Sequence, residues 1–303
     1  AEHRYGAVMV VRCVARTIFL GSAPGAAGQT VRGIDESRIR LGVLQPGENI
    51  ALFNDARNVL VSSLSYLYSS NGRYWYDTKP TLRKVADDRA RQIREDDIHA
   101  DIEKRLRKMG ANKGAFAAIH VCPQTSSDVL DDQSVRLVIL RPNETHRQVS
   151  KSDSAAVIRA DDFLLNRGQQ QRAYRNMLVF LAPDADRMDT LKPQLRQLLA
   201  WESIDKDQDA LNLDKAQIRN TKDEIARYEQ IVADQLRDAY QWLLVPRVDL
   251  EIDLNKITFD TERLLVDNDA LSERVYQRMK QSEQLIDEYA PALLKIELDK
   301  LLW

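Results

Sequence analysis

Five acids lie just after short apolar runs: Asp128, Asp131 and Asp132 in one stretch, then Asp184 and Asp186 in another. If those runs are strands, the acids stand where α/β folds gather their ligands. Two or three such oxygens converging would hold a magnesium ion. Asp128, Asp131, Asp132 and Asp184 are therefore candidate metal ligands, and a metal-dependent hydrolase is one reading of the chain. The competing reading is that acids after strands cap helices or close solvated turns. His120 and His146 flank the same region without a serine or cysteine nucleophile elbow; each is expected to be a satisfied core or surface histidine.

A second chemistry is suggested by Ala23-Pro24-Gly25-Ala26-Ala27-Gly28-Gln29-Thr30, which follows an apolar run as a phosphate loop would. The comparison fails at the charge. Ala23 replaces the first glycine, and Gln29 stands where a lysine would neutralise the β- and γ-phosphates. A flexible loop is expected, with no cofactor held by this chain.

A third constellation is basic. Arg57, Arg73, Lys79, Arg83 and Lys84 surround a candidate winged-helix element and would contact DNA phosphates. Asp55, Asp77, Asp87 and Asp88 intervene. The alternative is that Tyr66, Tyr68, Tyr74, Trp75 and Tyr76 are partly core and the basic residues form a solvated rim.

These residues need elements to place them. Tyr5 to Leu20 is apolar with Arg12 and Arg16 four apart, which favours a helix. Asp35 can cap a helix through Val43, and a further helix near Asn49–Ser63 sets Ile50, Phe53, Leu60 and Leu64 on one face. Two aromatic runs around Ser69-Ser70-Asn71-Gly72 predict a hairpin, because Asn and Gly tolerate the positive φ angles of a tight turn. Thr78 and Pro80 are expected to open one long helix, Thr81–Met109. Helix, helix, hairpin, helix is a winged-helix order.

From Ala115 the texture changes to apolar strands, Ala115–Cys122, Val135–Leu140 and Met177–Ala182, with helical stretches Ser154–Arg167 and Met188–Trp201. This predicts a parallel or mixed sheet covered on both faces. After Ser203 a polar helix is expected up to Leu244 and ended by Pro246. Leu211, Ile218, Ile225 and Val232 recur every seven residues, but Asp214 and Thr221 interrupt a coiled-coil seam. Val248–Ile252 is a candidate strand, and Thr261–Tyr289 a last helix. The predicted class is mixed, helix-rich α/β: a helical lid plus winged-helix-like module (1–110), an α/β domain (111–204) and a long-helix segment (205–303).

The chain has 303 residues, 44% apolar and 30% charged, with a formal charge of −2. That balance excludes a global field for nucleic acid or an anionic membrane, so any such contact is local. Cys13 and Cys122 provide neither a disulfide framework nor a zinc set. No apolar run reaches the roughly 18 residues of a membrane span and no leader pattern opens the chain. The cytoplasm is the expected location, without membrane contact. Because the sequence opens at Ala1 and stops at Leu301-Leu302-Trp303 with no helix stop signal, a piece cut from a larger protein is expected, lacking a complete active site.

Several words in one order carry a resemblance. They are Ala15-Arg16-Thr17-Ile18-Phe19-Leu20-Gly21-Ser22-Ala23-Pro24, Tyr66-Leu67-Tyr68 through Gly72-Arg73-Tyr74-Trp75-Tyr76-Asp77-Thr78, and Arg136-Leu137-Val138-Ile139-Leu140. Arg175-Asn176-Met177-Leu178-Val179-Phe180-Leu181-Ala182-Pro183-Asp184, Leu199-Ala200-Trp201 and Tyr240-Gln241-Trp242-Leu243-Leu244-Val245-Pro246 follow. The sequence resembles the middle and C-terminal part of the large ATP-binding proteins classed as domain of unknown function 499. This implies an intact AAA-type P-loop ATPase using ATP and Mg, of the kind found beside DNA methyltransferases and similar to phage-exclusion ATPases. It implies as partners the rest of its own ATPase chain, and DNA or a DNA-methyltransferase complex. Arg12 or Arg16 would be a nucleotide-sensing arginine there. The chain departs from the family in having no usable Walker A or Walker B segment.

Overall fold

The computed structural model describes residues 2–22, 32–148, 154–248, 257–264 and 270–285, with 291 and 295. The phosphate-loop lookalike at 23–30, most of the expected strand Val248–Ile252 and the end of the expected helix Thr261–Tyr289 lie outside them. The chain forms two compact units, Ala1–Gln92 with Asp207–Thr221, and Ile93–Lys206 with Lys222–Trp303. This differs from the boundaries at 110 and 204 expected from composition.

The first unit runs α1 (Glu2–Ser22), β1 (Ile34–Asp35), α2 (Glu36–Val43), α3 (Ile50–Ser63), β2 (Leu67–Ser70), β3 (Arg73–Tyr76) and α4 (Leu82–Gln92). Its antiparallel sheet has the order β1-β3-β2. That order of helices and strands is winged-helix-like, with α1, rather than the helix after the hairpin, as its third helix. Val14 and Ile18 of α1 share a core with Ile39, Phe53, Ala56, Leu60 and Leu67. Asp35 caps α2 by accepting from the Arg38 N–H at 2.9 Å, and Asn49 caps α3 through Ala51. Asn71 and Gly72 take φ of 50° and 70°, as the turn requires. Gly33 has φ of 73°, and a Cβ there would lie 2.3 Å from the Tyr74 carbonyl oxygen. The absence of a side chain therefore lets β1 lie against β3.

The expected helix Thr81–Met109 is two helices. Arg94 is extended, and α5 (Glu95–Met109) begins anew with Glu95, Asp96 and Asp97 in its first turn, where carboxylates favour a helix N-terminus. Thr81, not Thr78, supplies the hydroxyl at the start of α4, accepting from the Lys84 N–H at 3.4 Å.

The second unit continues with β4 (Ala118–Val121), β5 (Arg136–Ile139), α6 (Ala155–Leu165), a small hairpin β6 (Asn166–Arg167) and β7 (Gln170–Gln171), β8 (Leu178–Pro183), α7 (Ala185–Lys206), α8 (Lys215–Ala239), β9 (Tyr240–Val248), β10 (Ile257–Arg263) and α9 (Leu271–Gln281). The first residues of α8 belong to the segment grouped with the first unit. The sheet order is β10-β9-β8-β5-β4, with β4, β5 and β8 parallel and β9 and β10 antiparallel. Alternate residues build two cores. Leu137, Ile139, Val179, Leu181 and Leu243 pack with α5, α7, α8 and α9, whereas Val138, Leu140, Phe180, Trp242 and Leu244 pack with α6. The chain is thus a mixed α/β protein rich in helix.

Two expectations fail here. The helix expected up to Leu244 ends at Ala239, and Tyr240–Val248 is a strand in which Tyr240, Trp242, Leu243 and Leu244 are all buried. Burial on both faces erases the alternation that marks a half-exposed strand. Pro246 does not end a helix but pairs with Phe259, beyond Leu244, where the pairing of β9 with β8 ends. Thr261–Arg263, where the last helix is expected to start, belongs instead to the edge strand Ile257–Arg263, whose described side chains are half-buried or exposed. Asp214, which breaks the heptad, caps α8: its carboxylate accepts from the Gln217 N–H while the Gln217 side chain accepts from the Asp214 N–H.

Candidate functional site

The candidate metal ligands occur on the loop between β4 and β5 and at the end of β8, and each is already engaged. Asp128 accepts from the Gln124 and Thr125 N–H groups, both at 2.8 Å, which holds its carboxyl below the usual range. Asp131 accepts from Ala173 and Tyr174 at 2.8 and 3.0 Å. Partial desolvation raises its pKa, but these N–H groups and Arg172 leave it lowered overall. Asp132 pairs with Arg136, the main cause of its lowered pKa, and accepts from Ser134. Asp184 caps α7 through the Arg187 N–H at 3.0 Å and accepts from the Trp242 indole N–H at 2.9 Å. Among the described residues, no group of three or more His, Cys, Asp or Glu side chains is arranged to hold a metal.

Asp131 works with a residue that the sequence reading missed. The Arg172 side chain is fully buried and donates to the carbonyls of Phe163, Leu130 and Val129 at 2.8, 2.9 and 3.0 Å. It ties the loop after β4 to the end of α6. A lone arginine after Gln169-Gln170-Gln171 carries no signal of this.

His120 touches Arg136 and His146 is fully buried, its Nδ1 2.7 Å from the Ser154 hydroxyl. Burial lowers the pKa of both. Ser154 in turn caps α6 by accepting from Val157. Near this pair, at the carboxyl ends of β5 and β8, lies a cavity of about 420 Å³ lined by Asn143, Thr145, Arg147, Ser154, Asp189 and Lys192 among others. Its cations are spoken for. Arg147 pairs with Asp186 and Asp189, and Lys192 with Glu95 at 2.6 Å. The helix termini opening on it are capped by Ser154 and Asp184, so the cavity offers few unspent donors. Cys122, at the end of β4, is buried and its thiol is pushed up to about 12 by burial, far from a nucleophile's range.

The candidate DNA contacts divide in two. Arg57 pairs with Glu36 and lies over the Tyr74 ring. Arg73 donates to the Arg32 and Gly33 carbonyls at 2.9 and 2.5 Å, which stitches β3 to the segment before β1. Lys84 pairs with Asp88. Only Lys79 and Arg83 of the five are exposed. Tyr68 and Trp75 stack at 5.7 Å, and the Tyr68 hydroxyl donates to the Pro80 carbonyl, so the aromatic hairpin is built into its own unit.

What the first unit does present is apolar. Met9, Phe19, Leu20, Leu41, Ile50, Leu52, Val59 and Tyr66 are exposed there, whereas the larger unit exposes Leu130, Ile158, Leu165 and Tyr174 among its described residues. Arg12 and Arg16, the candidate nucleotide sensors, are exposed on the outer face of α1.

Comparison with protein-family models, curated proteins and solved structures yields no match to this chain. Fold and site define a mixed α/β chain with a winged-helix-like unit that exposes Met9, Phe19, Leu20, Leu41, Ile50, Leu52, Val59 and Tyr66. Among the described residues, no helix is long and apolar enough to cross a membrane.

Proposed function

We propose that this chain is a non-catalytic interaction region of a larger AAA-type P-loop ATPase of the domain of unknown function 499 kind, acting in the cytoplasm in phage defence or DNA modification. In this reading ATP and Mg are bound by another part of the intact protein, and the winged-helix-like unit meets a protein partner. The observation that carries the proposal is the exchange of surface character: Arg57, Arg73 and Lys84 are spent on internal contacts, while Leu52, Val59, Met9 and Leu20 face outward. An apolar surface of that kind marks a protein contact. The sequence resemblance supplies the ATPase context.

The test is titration calorimetry of this chain with MgATP and, separately, with duplex DNA at low salt. No saturable heat is expected from either. Micromolar ATP binding would overturn the non-catalytic reading. Salt-sensitive duplex binding that drops when Lys79 and Arg83 are changed to Ala would replace it with a DNA-binding one.

A further inference from the structure

The first unit carries two outward stripes built on the same spacing with opposite charge. On α1, Arg16 stands between Cys13 three residues before and Leu20 four residues after, with Met9 further along the same face; all four are exposed. On α3, Asp55 stands between Leu52 three residues before and Val59 four residues after, and these too are exposed. Among the described residues neither Arg16 nor Asp55 has an ion-pair partner, and Arg57, the nearby base on α3, turns inward to Glu36. Val14 and Ile18 of α1 meet Phe53 and Leu60 of α3 in one core. The outward stripes of a single molecule therefore face away from each other, and only a second molecule can bring them together.

From this complementarity we infer that the first unit binds a second copy of the chain head to tail, the α1 stripe of one molecule on the α3 stripe of the next, with Arg16 opposite Asp55. The inference rests on the interaction reading above and names its partner. The contact is heterologous, so it joins unlike surfaces and extends from copy to copy. The apolar neighbours supply the attraction, and the single charge pair sets register and rejects misaligned pairings.

Sedimentation velocity of the whole chain, at rising concentration under reducing conditions, tests it. The wild type is expected to gain mass with concentration. Arg16→Asp and Asp55→Arg are each expected to weaken association about tenfold or more, since each sets like charges face to face. An equimolar mixture of the two variants is expected to associate to within about threefold of wild type, because every α1–α3 contact between unlike copies again pairs opposite charges. Both substituted positions are exposed, and unchanged melting curves would show that the variants fold. A wild type that stays monomeric to about 200 µM, single variants that associate like wild type, or a mixture that stays monomeric would each overturn the inference. None of these results depends on ATP or DNA binding, so self-association can fail while the interaction reading stands.

Discussion

Changing Asp184 to Ala removes an acceptor that two elements share. Asp184 is 6% exposed. One oxygen caps the 22-residue α7 through Arg187, and the other accepts the indole N–H of Trp242 on β9. Loss of the cap costs about 1 kcal/mol. The Trp242 N–H, buried with no replacement acceptor, adds about 1–3 kcal/mol. Arg263 lies 3.9 Å away with its side chain 54% exposed, so solvent screens that pair and it adds little. The sum, about 2–4 kcal/mol, lowers the melting temperature of the second unit by roughly 5–15 °C at the slope of a domain this size. Calorimetry that separates the two units' transitions reads the shift. A double-mutant cycle with Trp242→Phe isolates the orphaned donor: with the indole gone, Asp184→Ala is expected to cost at least about 1 kcal/mol less. A shift under about 2 °C, or a cost unchanged by Trp242→Phe, would refute the assignment of Asp184 to these two contacts.

Other consequences are as direct. Gly72→Ala meets only backbone strain, about 1 kcal/mol, because nothing lies within 4 Å of its Cβ position. Gly33→Ala adds a clash with the Tyr74 carbonyl and is expected to cost about 2–4 kcal/mol, read from the first unit's melting transition. Arg172→Met leaves several loop carbonyls without donors. A loss of about 3–5 kcal/mol is expected, with faster amide exchange across residues 126–132. Burial lowers the pKa of His99, His120 and His146, so the unfolded chain binds protons first as pH falls. Stability held above the ordinary histidine value near 6.5 is then lost as pH drops through the folded values, and melting at pH 7 against pH 5 checks the sign. His146→Gln is expected to flatten part of that dependence.

Much of the local structure is legible in the sequence because it is written in short-range chemistry. Asp35, Asn49 and Ser154 cap the helices that follow them, and Asn71-Gly72 makes its turn. The break at Arg94 was also written, in Glu95-Asp96-Asp97, but a continuous run of helix formers masks it. β9 was not legible, since burial on both faces removes its periodicity and its partner β8 is far away in sequence; β10 is a half-buried edge strand paired with β9, and its short run was hidden beside the helix that follows. The acids after strands are not separable by position alone, because the same place in an α/β fold is common to ligands and caps; here Asp128 and Asp184 cap helix starts. Arg57 and Arg73 pose the same difficulty, because a base engaged by Glu36 or by backbone carbonyls reads the same in sequence as one offered to a phosphate.

The placement of β9 next to β8 has a consequence for synthesis. When Pro183 leaves the ribosome, β8 is complete but its outer edge has no neighbour, and the strand that covers it begins only at Tyr240. At ordinary elongation rates the intervening stretch of roughly sixty residues takes about 3–12 s to make. For that interval the nascent chain shows an open edge of wholly apolar strand, a template for pairing with other chains. Truncations that stop before residue 240 are thus sticky intermediates rather than smaller domains, and the C-terminal third acts as the α/β unit's own shield during translation.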